Sequence, residues 1–93
     1  MNEAVFRQRA QELGYGDIAY KNYPPHADGP LHTHDFAVML LVIEGEFTLA
    51  RSDEAVTYSP GGVCELAADV MHTERTGSAG ARVLLGKRSA PVG

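Results

Sequence analysis

The chain has 93 residues, which is enough for one small domain and too few for a catalytic domain joined to a regulatory one. Eight Lys and Arg against twelve Asp and Glu give a net charge of −4, which argues against the basic surface of a nucleic-acid-binding protein. Hydrophobic residues make up 44% of the chain, a fraction that excludes disorder. We therefore expect a single globular domain over residues 1–93.

Cysteine usage and apolar runs indicate the compartment. The single cysteine, Cys64, excludes an internal disulfide, and residues 1–14 lack the apolar core of a signal peptide. The longest apolar run, residues 36–43, is too short to span a bilayer. These features predict a soluble cytoplasmic protein that partners neither nucleic acid nor membrane.

A short helix is predicted at residues 2–13. Asn2 can serve as its N-cap, and Gly14 is expected to end it. Three apolar residues at helical spacing form one face: Phe6, Ala10 and Leu13. We expect this face to pack on the rest of the domain or on a partner subunit.

After the helix the hydrophobic pattern changes to a period of two, which predicts about seven short strands. The predicted strands are residues 18–23, 31–43, 46–50, 54–58, 63–66, 72–76 and 82–87, with a proline-rich loop at 24–30 and a turn at Glu44-Gly45. Short strands separated by turn residues are typical of an all-β sandwich or barrel, here over about residues 17–88.

Residues 36–43 are apolar on both strand faces. A strand of an isolated barrel should carry a polar outer face, so this strand must be covered on both sides. The cover is either the N-terminal helix or a second subunit, and on this ground we predict a homodimer.

Three of the four histidines form a pattern that can hold a metal ion. His32 and His34 are two residues apart, so in a strand their rings point to the same face, with Cα atoms about 7 Å apart. Imidazole side chains can close that gap onto one ion, and His72 can supply a third ligand from a distant strand. The fourth histidine, His26, lies in the proline-rich loop and is expected to be exposed.

Two segments resemble the sequence motifs of the cupins. Residues 32–46 read HTHDFAVMLLVIEGE, and residues 60–72 read PGGVCELAADVMH. The resemblance extends from about Ile18 to Lys87. It implies a small double-stranded β-helix, or jelly-roll, barrel with a metal site at His32, His34 and His72.

The sequence departs from the cupin pattern at the glutamate ligand of the first motif, whose position is occupied by Val38. Two acids are candidates for a substitute ligand or for orienting an imidazole. Glu74 lies two residues after His72 on the same strand face, whereas Asp35 follows His34 directly and should point away. Imidazole ligands do not choose among Zn, Fe, Ni, Mn and Cu, so the expected cofactor is a divalent transition metal.

Strand parity also predicts the wall of the cavity beyond the metal: Phe36, Val38, Leu40 and Val42. This wall is apolar and shows no polar anchor, and three neutral imidazoles would leave the +2 charge of a bound ion uncancelled, so we expect a small organic ligand that is anionic or chelating. Other residues are interpreted structurally, with Tyr20, Tyr23 and Tyr58 packing in the sheet, Cys64 inert and Arg82 on the surface.

Three functions stay open from the sequence. The first is a metal-binding cupin that acts on small molecules as an oxygenase, isomerase or hydrolase. The second is a non-enzymatic module that binds or senses a small molecule, and the third is a dimeric structural protein with a degenerate metal site. No catalytic residue is assigned, and fold analogy alone does not choose among the three.

Overall fold

The computed structural model describes residues 1–89, which form one α-helix and five β-strands. In chain order these are α1 (Glu3–Glu12), β1 (Gly16–Tyr23), β2 (Phe36–Ala50), β3 (Ala55–Tyr58), β4 (Val63–Leu66) and β5 (Thr73–Ser89). The predicted all-β class with a short N-terminal helix is confirmed. The predicted single domain includes residues 90–93, which lie outside the described residues. No helix within residues 1–89 has the length and apolar character needed to cross a bilayer.

Strand β2 lies at the centre of one antiparallel sheet. Strand β5 pairs with it along one edge, while β4 and then β3 pair with the opposite edge. Strand β1 extends the sheet beyond β5. Two isolated bridges, Asp28 with Arg75 and His32 with His72, join the loop between β1 and β2 to the start of β5. This loop therefore closes the rolled sheet at the end where the histidines lie.

Both long strands are interrupted where two glycines meet. Gly45 pairs with Ala81 and Phe47 pairs with Thr76, so residues 77–80 of β5 stand opposite Glu46 alone. Gly45 and Gly80 have φ angles of +77° and +68°, which glycine adopts without strain. The predicted turn at Glu44-Gly45 is therefore wrong, because the chain passes through a bulge and continues as one strand. For the same reason the predicted strands 72–76 and 82–87 are parts of β5.

The predicted strand at residues 31–43 begins only at Phe36. The residues before Phe36 do not form a continuous strand ladder. Their backbone groups form hydrogen bonds with the second cupin-like segment, residues 60–72. His32 and His72 exchange backbone hydrogen bonds of 3.0 Å, and the N–H of Asp69 donates to the carbonyl of His34 at 2.8 Å. His32 and His34 thus lie in a loop that is fixed on two sides.

The two apolar faces of β2 are buried in different clusters. Leu40 and Val42 belong to the interior cluster, whose other buried members are Phe47, Leu49, Cys64, Leu66, Ala81 and Val83. The opposite face packs against α1 in a second cluster of Phe6, Ala10, Tyr15, Ala37, Met39, Leu41 and Leu84. Helix α1 therefore provides the cover that the doubly apolar strand requires.

The N-terminus of α1 is capped by the residue that the sequence predicts. The side chain of Asn2 accepts a hydrogen bond from the N–H of Val5 at 2.8 Å. Phe6 and Ala10 are fully buried, which confirms them as the apolar face. Leu13 is 42% exposed and does not belong to that face, because it is the C-cap, where the chain leaves the helical path.

Candidate metal centre

Three imidazoles and one carboxylate converge at the start of β5. His32, His34, His72 and Glu74 each offer one ligand atom, and these atoms lie within 4.8 Å of one another. The Oε1 atom of Glu74 is 3.7 Å from Nε2 of His32, 3.9 Å from that of His34 and 3.3 Å from that of His72. We call these four residues the histidine–glutamate cluster. Asp35 is exposed and is not part of it.

The position of each member follows from local structure. The backbone bridge sets His32 directly opposite His72, and the ring centroids of these two residues are 4.3 Å apart. Glu74 follows His72 by two residues in an extended segment, so both side chains point to the same face. The ring of His34 stacks on that of Phe36 with a centroid distance of 4.9 Å, which fixes its plane.

Backbone carbonyls hold two of the imidazoles in one tautomer. Nδ1 of His32 lies 2.6 Å from the carbonyl oxygen of Pro30, and Nδ1 of His72 lies 2.8 Å from that of Val70. Because a carbonyl oxygen only accepts, each of these Nδ1 atoms carries a hydrogen, and Nε2 points to the other members of the cluster, where that of His72 lies 3.3 Å from Oε1 of Glu74. Ligating histidines in metalloproteins are commonly oriented in this way.

The donor set of the cluster fits a cation. Nitrogen atoms of three imidazoles and a carboxylate oxygen that lie this close together require a proton or a metal ion between them. Burial, with smaller contributions from His72 and His32, lowers the pKa of His34, and Glu74 offsets this only in part. A lowered pKa disfavours the proton, and nitrogen and carboxylate ligands suit the divalent transition metals.

Glu74 places a carboxylate in the cluster, whereas Val38 occupies the glutamate position of the cupin pattern. The second oxygen of Glu74, Oε2, accepts a hydrogen bond of 3.0 Å from the hydroxyl of Tyr23. Burial and then the charge of Glu74 raise the pKa of Tyr23 far above its ordinary value, so this hydroxyl stays protonated as a donor. The Tyr23 ring also packs on Phe47 at a centroid distance of 5.3 Å. Tyr23 thus packs in the sheet as predicted and, beyond that prediction, holds Glu74.

A cavity of about 310 Å³ lies beside the cluster, and His34 and Glu74 form part of its wall. Phe36, Val38 and Leu40 line it as strand parity predicts, whereas Val42 is buried in the interior cluster and is not part of this wall. The wall is completed by Asp17, Ala19, Tyr20, Lys21, Tyr23, Leu85 and Lys87.

The expectation of a cavity without a polar anchor is wrong. Apart from His34 and Glu74, its polar groups come from β1 and from the end of β5, segments that the sequence pattern did not assign to the cavity. The alternation of Ala19, Lys21 and Tyr23 is the signal that could have identified one face of β1. Only the pairing of β1 with β5 shows that this face points into the cavity.

The remaining residues considered from the sequence lie apart from the cluster. His26 is exposed in its loop. Burial raises the pKa of Cys64 to about 12, so its thiol is inert. The guanidinium of Arg82 lies 4.4 Å from the ring centroid of Tyr20 and donates to Asn22.

No protein-family profile matches the sequence, and no curated protein matches it. Several solved structures, however, are similar to the fold of this chain. A protein of unknown function from Rhizobium leguminosarum is similar with a TM-score of 0.74 at 23% identity, over 78% of this chain and 69% of that one. The cupin domain of Schizosaccharomyces pombe Cnp3 gives a TM-score of 0.70 at 11% identity, over 78% and 52%. An RmlC-like cupin from Shewanella frigidimarina gives 0.65 at 16% identity, over 78% and 65%.

The chain thus spans between about half and two thirds of the length of these three structures. At such low identities the likeness is one of fold, and it agrees with the rolled sheet and with the two cupin-like motifs. This protein has the cupin fold.

Proposed function

We propose that the protein is a metal-binding cupin, in which the histidine–glutamate cluster holds a divalent transition metal beside a cavity for a small organic molecule. The observation that carries this proposal is the convergence of three Nε2 atoms on Oε1 of Glu74, with two Nδ1 atoms engaged by backbone carbonyls. Bound there, the ion would supply Lewis-acid polarisation of a ligand oxygen. Zn, Fe, Ni, Mn and Cu all accept this donor set.

The chain's own residues prepare the site in three ways. Glu74 contributes one negative charge, so a divalent ion would keep a net charge of +1 and still attract an anion. Tyr23 holds Oε2 of that carboxylate and leaves Oε1 toward the imidazoles. Phe36 and Val38 form an apolar wall beside His34, which limits the access of water.

Titration calorimetry with Zn²⁺ on metal-free, untagged protein tests the proposal. We expect one equivalent to bind, and we expect His34→Ala to weaken binding by about 100-fold or more because a ligand is lost. His34 is half-buried, so this variant is expected to fold. His26→Ala is the matched control, since it removes an exposed histidine outside the cluster. Unchanged binding in His34→Ala, or equal losses in both variants, would contradict the proposal.

A binding role without turnover is the second candidate function. The hydroxyl of Tyr23 contacts the cluster but is engaged with Glu74 and keeps its proton, so it serves as a donor and not as a base. Metal-loaded protein that binds a small carboxylate and returns it unchanged in an NMR time course would support this role.

Homodimerisation and a cytoplasmic location stay predictions. Helix α1 covers the apolar face on which the prediction of a dimer rested, so a dimer has to use another surface. Light scattering measures the mass directly. Twice the chain mass of 10.0 kDa would confirm the dimer, and 10.0 kDa would contradict it.

A further inference from the structure

Both lysines of the chain line the same cavity. The sequence contains two lysines, Lys21 and Lys87, and six arginines. Lys21 extends from β1, and Lys87 extends from β5, where it is paired with Val38 of β2. Two strands that are distant in sequence thus bring the two ammonium groups into one wall.

Each ammonium is held over an aromatic ring of that wall. Nζ of Lys21 is 4.8 Å from the ring centroid of Tyr23, and Nζ of Lys87 is 4.8 Å from that of Phe36. Cation–π attraction restrains both groups there without using up their hydrogen-bond donors. Among residues 1–89 neither lysine forms an ion pair within 4.0 Å, although Arg51 does so with Glu54. In a chain of net charge −4, these are two available cations in one wall.

Two carboxylates also line the cavity. Glu74 accepts a hydrogen bond from Tyr23 through Oε2, and its Oε1 atom faces the imidazoles of the cluster. Asp17 is exposed at the start of β1, where its φ angle is +52°. The rest of the wall is mainly apolar, with Phe36 and Leu85 as examples. A ligand with an apolar body and one acidic group matches this arrangement of lysines and apolar side chains.

We propose that the cavity binds a small organic carboxylate, with its acid group on Lys21 and Lys87 and its apolar body against Phe36, Val38 and Leu40. The volume of about 310 Å³ limits the ligand to a small molecule. A carboxylate, with one negative charge, is favoured over a phosphate, which carries up to two, because the carboxylates of Asp17 and Glu74 share the wall with the two lysines. This inference extends the proposed function by naming the ligand class, but contact with the lysines does not itself require the metal.

Benzoate and its neutral analogue benzamide are the probes, and binding is measured by NMR titration of the metal-free protein. The variants are Lys21→Gln, Lys87→Gln and the double variant. Arg9→Gln is the matched control, since it removes one positive charge from the exposed surface of α1. We expect the double variant to bind benzoate about fivefold or more weakly, with a smaller loss in each single variant, and Arg9→Gln to be unchanged. We also expect wild-type affinity for benzoate to fall between low salt and about 0.5 M NaCl because exposed charges are screened.

The inference is overturned if the double variant binds benzoate like the wild type, if benzamide binds as tightly as benzoate, or if benzoate at tens of millimolar does not bind. Unchanged circular dichroism of the variants confirms that they fold.

Repeating the benzoate titration with Zn²⁺-treated protein distinguishes this proposal from the metal-binding proposal. Benzoate binding that needs the lysines while Zn²⁺ does not bind would overturn only the metal proposal. Zn²⁺ binding with lysine-independent benzoate binding would overturn only this one.

Discussion

At the scale of single residues, the cluster combines three histidines with a carboxylate at a position that differs from the cupin pattern. The cupin pattern places the carboxylate on β2, where Val38 stands, and the structure places it on β5 as Glu74. Because Glu74 and His72 share a strand face, one short segment supplies both a nitrogen and an oxygen donor.

Tyr23 is expected to contribute to metal affinity through Glu74. Replacing Tyr23 by Phe keeps the ring packed on Phe47 but leaves Oε2 of Glu74 without its donor. Loss of such an outer partner typically weakens metal binding by about 10-fold to 100-fold, and we expect about 10-fold for Zn²⁺ by calorimetry. Tyr58→Phe removes a hydroxyl from a tyrosine outside the cluster and is expected to leave affinity unchanged; an equal effect of both variants would contradict a specific role.

His34 predicts how the stability of the metal-free protein depends on pH. Its pKa is lowered in the folded state, mainly by burial, and rises to about 6.5 on unfolding. Between the two pKa values the unfolded chain binds more protons than the folded one, so the free energy of unfolding rises with pH across this window. The part of it that depends on His34 decreases as the pH falls from about 6.5 to the pKa of the folded state. Urea unfolding of metal-free protein between about pH 5 and pH 8 measures it. The difference between wild type and His34→Gln isolates this residue, and a difference that does not change with pH would contradict the prediction.

At the scale of elements, the bulge at Gly45 lets β2 and β5 stay paired while the sheet bends. A Cβ on Gly45 would overlap the carbonyl oxygen of Gly80, and the φ of +77° is unfavourable for any other residue. We expect Gly45→Ala to lower the free energy of unfolding by about 2–4 kcal/mol. Gly77→Ala is the control in the same bulge, because a Cβ there meets nothing within 4 Å. Similar urea midpoints for the two variants would contradict this role.

Local signals in the sequence predicted most elements but not their connections. The cap at Asn2, the strand face of Phe36, Val38 and Leu40, and the common face of His72 and Glu74 follow from short-range periodicity. Whether Glu44-Gly45 turns the chain or forms a bulge depends on the partner strand, which periodicity does not identify.

The cavity shows the same limit more clearly. Lys21 and Tyr23 reach it only because β1 pairs with β5, about 60 residues further along the chain, as in the pairing of Lys21 with Val83. Non-local pairing of this kind leaves no mark on the alternation of either strand. The apolar wall could therefore be predicted, whereas its polar groups could not.

At the scale of the whole molecule, the histidine–glutamate cluster lies where the loop between β1 and β2 joins β5. A metal bound only by the folded state stabilises it by mass action, by about 2.7 kcal/mol when the free metal is about 100 times Kd. For a domain of this size that corresponds to a rise in Tm of about 11–22 °C. We expect chelation of Zn²⁺-loaded protein to lower Tm accordingly, and to leave the Tm of His34→Ala unchanged. An equal shift in both proteins would mean that the metal acts elsewhere.

Anomalous diffraction at the zinc edge, from crystals of protein loaded with one equivalent of Zn²⁺, tests the metal centre most directly. We predict a single strong peak about 2.0–2.2 Å from Nε2 of His32, His34 and His72 and from Oε1 of Glu74. The prediction would be contradicted by a peak bound to other side chains, or by the absence of a peak among the three imidazoles and Glu74.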